Sequence, residues 1–294
     1  MITMNRTLTA SSLLVAGLVG SSQAMVTFDG QNIQTDATSA GLTQLAVQDS
    51  PTQFGNSDSG TQAANGSELN ALYAGLDGTS LTVSITGNLE SNFNKFFLFF
   101  DAVDGGENTL AADNVDGGFN EIQSLTEMSF ANGATMDHGL RFEIGSGFFG
   151  INSFDLIDNT AAAAVTGGGP GDLPLIGGSG GVLTSAGWDN SNDQGVTDTD
   201  ASTALTATKG WELEIDLASL FGETPGSVGI SGIITSGGGD FLSNQALPGV
   251  GSADNLGNDP SAVTLPVAVI PEPSSLVLIG LGTAALAFGH RRKA

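Results

Sequence analysis

The stretch Gly210-Trp211-Glu212-Leu213-Glu214-Ile215-Asp216-Leu217-Ala218-Ser219-Leu220 decides the fold. Its apolar side chains at Trp211, Leu213, Ile215 and Leu217 alternate with the acids Glu212, Glu214 and Asp216. A period of two sends the two sets to opposite faces of an extended chain, the mark of a half-buried β-strand. Working outward, Leu81, Val83 and Ile85 alternate with Thr82, Ser84 and Thr86 between the turn pairs Asp77-Gly78 and Gly87-Asn88. Leu140, Phe142 and Ile144 alternate with Arg141 and Glu143, and Phe148-Phe149-Gly150-Ile151 is placed to pair back across Gly145-Ser146-Gly147. Phe96-Phe97-Leu98-Phe99-Phe100, bounded by Lys95 and Asp101, is continuously apolar and fits a central strand covered on both faces. Val228–Ser236 and Val263–Ile270 complete the series.

Other segments read less sharply. Val26-Thr27-Phe28 and Leu42–Val47 suggest short strands among polar loops, and Ser67–Gly75 fits either a helical turn capped by Ser67 or the lead-in to a strand. The Gly-, Ala-, Asp- and Ser-rich residues between Asn159 and Thr208 read as a long surface excursion. Short strands separated by Gly/Asp turns predict an all-β fold: a single β-sandwich, jelly-roll-like, over residues 25–268 with long Gly/Asp-rich loops.

Charge bounds the function. Of 31 acidic residues only Glu272 lies outside residues 25–268, and of seven basic residues only Lys95, Arg141 and Lys209 lie inside it, a formal charge of −27. A surface this acidic repels nucleic acid and anionic lipid and favours solubility and divalent cations. No cysteine is present, which excludes disulfides, thiolate metal sites and a cysteine nucleophile.

The two ends carry addresses. Arg6 followed by the apolar core Leu13–Gly20 and then Ser22-Gln23-Ala24 has the layout of a secretory signal peptide, residues 1–24, cut by signal peptidase after Ala24. At the other end stand Ile270-Pro271-Glu272-Pro273-Ser274-Ser275, an uncharged run to Gly289, and His290-Arg291-Arg292-Lys293. The prolines hold the chain extended around Glu272. A helix over residues 274–289 would reach roughly 24 Å, near the hydrocarbon thickness of a bilayer, with Arg291, Arg292 and Lys293 as its cytoplasmic stop. Residues 269–294 closely resemble the PEP-CTERM sorting signal of Gram-negative bacteria. The resemblance implies recognition by an exosortase, cleavage near Pro271-Glu272-Pro273, export across the inner membrane with transient anchoring in the membrane, and a final place on the cell surface or in the extracellular matrix. More distantly, the 210–220 strand and the Lys95–Asp101 run followed by Gly105-Gly106 resemble family 9 carbohydrate-binding modules and DOMON domains. Asp216 departs from that pattern, standing where those strands usually carry proline.

Catalytic chemistry finds little footing. His138 is the one histidine between the two addresses, and no Gly-x-Ser-x-Gly elbow accompanies it. Zinc sites lack ligands, and paired carboxylates among so many acids carry no specific signal. Calcium suits the composition better. Asp101, Asp104, Glu107, Asn108, Asp113 and Asp116 follow an apolar strand, and Asp189 to Asp200, with Asp189 and Asp193, partly resembles a calcium loop. Trp188, read as a loop residue, is the candidate platform for a sugar ring, while Trp211 reads as core. The expectation is a non-enzymatic, exosortase-processed surface or matrix protein, structural or adhesive and associated with exopolysaccharide. The alternative is a carbohydrate-binding module with a specific glycan ligand.

Overall fold

A computed structural model describes residues 25–54, 66–145, 147–160, 163–169 and 172–270. The expected signal peptide, residues 1–24, and the apolar tail, with the helix expected at 274–289, lie outside the described residues, and no described helix is long and apolar enough to cross a membrane. In chain order the elements are helix α1 (Ile33–Ser39) and strands β1 (Thr43–Val47), β2 (Glu68–Asp77), β3 (Ser80–Asn88) and β4 (Lys95–Asp101). After a long excursion containing the two-residue β5 (Ser129–Phe130) come β6 (His138–Ile144), β7 (Phe149–Asp155), β8 (Ala163–Gly168), β9 (Leu175–Gly180), β10 (Leu183–Trp188) and β11 (Gly210–Asp216). Helix α2 (Leu217–Phe221) precedes β12 (Val228–Thr235), β13 (Leu242–Leu247), β14 (Thr264–Leu265) and β15 (Ala268–Ile270).

Among the described residues these strands build two stacked antiparallel sheets. The first has the order β1-β2-β3-β11-β10-β9; the second runs β13-β12-β4-β6-β7-β8, with β15 also paired to β12. The fold is therefore all-β and sandwich-like, and its six- and seven-stranded layers are wider than those of an eight-stranded jelly roll. Inward side chains of β3 and β11 (Leu81, Val83, Ile85, Trp211, Leu213, Ile215) meet those of β4, β6 and β12 (Phe96, Leu98, Phe100, Leu140, Phe142, Ile230) in the main core.

Strand β4 behaves as its unbroken apolar run requires. It pairs with β12 on one side and β6 on the other, and its alternate residues Phe97 and Phe99 enter a second core. That core lies on the outer face of the second sheet, where Leu110, Ile122, Leu125, Met128 and Phe130 of the Ala102–Asp137 excursion cover it together with Val263 and Leu265. The parallel pair β5–β14 joins the two covering segments.

Several expectations change. The 210–220 strand ends at Asp216, whose side chain accepts from Ser219 N at 2.7 Å and caps α2; a side-chain acceptor at this position favours starting a helix over extending the strand. Ser67–Gly75 resolves as strand β2. Val26-Thr27-Phe28 forms no strand; Phe28 O accepts from Gly177 N of β9 at 2.7 Å. The expected surface excursion 159–208 contains β8, β9 and β10, the latter two forming a meander with β11. Glycines hide these strands from a hydrophobicity reading, because β9 (Leu-Ile-Gly-Gly-Ser-Gly) is an edge with few side chains to bury. β13 has no apolar alternation to reveal it: its Ser243, Asn244 and Gln245 are polar yet fully buried.

Phe96→Ala and Phe97→Ala, neighbours on opposite faces of β4, should each cost about 3–5 kcal/mol in chemical denaturation. A one-faced strand would lose stability for only one of the two.

Candidate functional site

The acids singled out for calcium are not gathered into a cage. Among the described residues no group of three or more His, Asp and Glu side chains is placed to hold a metal. Asp116 is fully buried; its carboxylate accepts from Gly118 N at 2.9 Å and Ile122 N at 2.8 Å and meets Arg141 Nη1 at 3.2 Å. Glu107 accepts from Ala111 N and Asn114 Nδ2, both at 2.8 Å, and Asp101 from Thr135 N at 3.3 Å. Asp104 and Asp113 are exposed. In the second loop, Asp189 accepts from Ser191 N at 2.9 Å and lies 3.6 Å from Lys209 Nζ, while Asp193 is exposed and accepts from Gln194 Nε2 at 3.3 Å. Short acidic side chains in these loops mainly close turns on their own backbone.

Two of the three bases in the described region form a buried cluster on the outer face of the second sheet. Arg141 of β6 reaches Glu121 at 2.6 Å, Glu143 at 2.7 Å and Asp116, and Lys95 of β4 reaches Glu143 at 3.0 Å and Glu121 at 3.4 Å. Asp116 and Glu121 belong to the excursion, so the cluster fastens that cover to the sheet. Removing one partner would strand a buried charge, a loss on the order of 3–5 kcal/mol. Asp137 acts similarly without a cation: its Oδ2 accepts from Ala102 N at 2.6 Å and Val103 N at 2.7 Å. The excursion's acids carry no sequence signal for these roles, since their partners lie far along the chain.

Trp188 is not a sugar platform. It ends β10, is 0 % exposed, and stacks within the main core 5.7 Å from the Trp211 ring and edge-on to Phe149. Its register partner is Trp211, so both indoles share the inward face. A loop reading fails here because the residues just before Trp188 are small or polar, while the strand itself points its large side chains, Leu183 and Trp188, inward.

The outer face of the first sheet carries two buried carboxylates that no sequence motif marks. Glu212 of β11 accepts from Asp29 N at 3.1 Å and Gly30 N at 2.9 Å, which pins the N-terminal segment across the sheet. Close approach there depends on Gly187, where a Cβ would collide with the backbone of Phe28, Asp29 and Gly30. Glu68 of β2 accepts from Asn70 Nδ2 at 3.2 Å and Asn192 Nδ2 at 2.8 Å. Burial pushes both carboxyls from an ordinary 4.5 up to about 8, against the opposing pull of their hydrogen bonds.

The last described strand ends where the tail begins. β15 pairs with β12 through Val228↔Ile270, Ile270 is buried, and Pro271-Glu272-Pro273 follows at once. Residues 269–293 match the family described as the PEP-CTERM protein-sorting motif. The chain carries a PEP-CTERM sorting motif. The PEP-CTERM match covers this tail alone and implies an exported protein processed by an exosortase, with a membrane-anchored sorting signal of the Gram-negative type. No curated protein and no solved structure matches the chain. The likeness of β11 to carbohydrate-binding modules therefore rests on its strand pattern alone. The sorting residues Pro271, Glu272, Pro273, Arg291, Arg292 and Lys293, and the expected signal-peptidase site Ala24, lie outside the described residues.

Two outcomes are expected for the sandwich that bears the PEP-CTERM tail. Trp188→Ala should cost about 3–5 kcal/mol in stability, as a core deletion does, which denaturant midpoints will show. In chelator, stability should fall as pH rises from about 4.5 to about 8. Folded Glu68 and Glu212 keep protons there that the unfolded chain has released, so their contribution is complete below the lower value and gone above the upper one. Glu212→Gln should flatten that slope; an unchanged slope would show that Glu212 titrates normally.

Proposed function

We propose that this chain is an exported, exosortase-processed protein of the cell surface or extracellular matrix, structural or adhesive in role and associated with exopolysaccharide. The carrying observation is the PEP-CTERM match at residues 269–293 directly after the final strand of an acidic sandwich. Cutting at Pro271-Glu272-Pro273 would free the described strands intact, because Ile270 is the last residue of β15.

A non-catalytic role fits the one histidine of the sandwich. His138 Nδ1 lies 3.0 Å from Asp137 Oδ1 and its Nε2 3.8 Å from Asp155, and its ring packs edge-on to Phe221 at 5.4 Å. Asp137 is itself committed to the backbone of Ala102 and Val103. These contacts make the imidazole part of the packing between β6, β7 and α2. The formal charge of −27 gives the exported domain strong self-repulsion and solubility, and it favours association with polysaccharide through divalent cations over direct attraction to anionic groups.

Mass spectrometry of protein recovered from the surface or matrix of the producing cells should find an N-terminus at Met25 and a C-terminus near Pro271-Glu272-Pro273. Replacing all three motif residues by alanine should leave the tail uncut and the protein in the inner-membrane fraction. Full-length protein in the matrix, or normal release of the triple variant, would refute exosortase processing. Processed protein that is recovered only as free soluble material, never with polysaccharide, would refute the matrix role alone.

A further inference from the structure

At one end of the first sheet, beneath the loop that follows Trp188, three neighbouring residues each bury an oxygen atom that has no donor. Glu68 is 0 %, Asn192 4 % and Asn88 8 % exposed. Glu68 and Asn88 are direct register partners across β2 and β3, so their side chains share the outer face. Asn192 touches the same carboxylate, donating Nδ2 to Glu68 Oε1 at 2.8 Å. The amide hydrogens are already used: Asn192 Nδ2 also donates to Gln194 O, and Asn88 Nδ2 donates to Gly66 O, each at 2.5 Å. Glu68 Oε2, Asn88 Oδ1 and Asn192 Oδ1 are left with no hydrogen-bond partner. A single orphaned buried acceptor costs on the order of 1–3 kcal/mol, so three on touching residues call for a shared partner.

That partner has to be either a set of hydrogen donors or a cation. The bases of the described region are engaged elsewhere, Lys95 and Arg141 in the cluster on the second sheet and Lys209 with Asp189. The charged neighbour of Glu68 is another acid, Asp193, exposed at the rim. A proton on Glu68 serves one of the two amide oxygens and needs a water for the other, so donors alone require two partners acting together. A metal ion serves all three at once. The donors are all oxygen, one carboxylate and two amide carbonyls, the set that hard cations take and softer metals do not.

We propose that Glu68, Asn88 and Asn192 bind one hard cation of the calcium class, with Asp193 and water completing its shell on the solvent side. The loop is already held above the site, since Asn70 Oδ1 accepts from Val196 N at 2.7 Å. A bound ion would lock the 189–196 segment to the ends of β2 and β3. The acid-rich 101–116 excursion has no part in it.

The test uses the protein as recovered from expressing cells, stripped with chelator and titrated with calcium chloride at pH 8. One calorimetric binding event and a raised melting temperature are expected. Terbium should give luminescence sensitised through Trp211, whose ring reaches Gly87 beside Asn88, and calcium should displace it. Glu68→Gln should abolish these responses, whereas Asp101→Asn and Asp113→Asn should keep them. Should Glu68→Gln fail to fold, Asn192→Ala, which retains the carboxylate, should weaken binding about tenfold or more by removing one ligand. Absence of calcium-dependent heat and melting shift in the unaltered protein overturns the proposal. So does binding that both Glu68→Gln and Asn192→Ala leave unchanged.

Discussion

Strand β4 has no face left for water, and most of the architecture answers to that. Five consecutive large apolar residues cannot alternate between core and solvent, so both faces must be covered. One face meets the first sheet; the other draws the Ala102–Asp137 excursion and the segment before β15 over it, producing the second core. The cover is then fastened by charge. Lys95 at the start of β4 and Arg141 on the neighbouring strand reach the same carboxylates, Glu121 and Glu143, across the sheet surface.

An acidic chain with three bases in its folded region has to dispose of carboxylates without enough countercharge. Most stay on the surface. Those taken inside find partners in different ways. Asp116, Glu121 and Glu143 share the two buried cations, Asp137 and Glu212 accept backbone amides, and Glu68 leans on two side-chain amides. Backbone N–H groups are the resource such a chain has in plenty, and each one accepted fixes a segment: Ala102 and Val103 at the start of the excursion, Asp29 and Gly30 over the first sheet. The Asp-rich loops that suggest a calcium cage are mostly spent on this work.

Strands with large apolar side chains are legible from their residues alone: β3, β4, β6, β7, β11 and β12 fall where alternation or an unbroken apolar run places them. Those that are not legible have physical reasons for it. β9 and β10 are rich in glycine and small residues, so period two leaves no trace in hydrophobicity, and Trp188 then looks like a loop aromatic instead of half of an inter-strand indole pair. β13 hides for the opposite reason. Its polar Ser243, Asn244 and Gln245 are buried because they bond to Ile234 O, Pro51 O and the amide of Leu69, partners roughly 10 to 190 residues away. The same remoteness conceals the Glu68 site, whose members come from two strands and a loop more than a hundred residues apart.

By itself the sequence determined the address and the period. Both are local: a sorting tail is read by its order of proline, apolar and basic residues, and a strand by alternation along a few positions. Only the tertiary structure decided which side chains are hidden and what faces them. It moved Trp188 into the core, turned Asp116 and Asp137 into anchors, and buried Glu68, Asn88 and Asn192, each with one oxygen left unpartnered. Burial and donor supply depend on residues distant in the chain, and nothing in a local stretch of sequence encodes where those distant residues will lie.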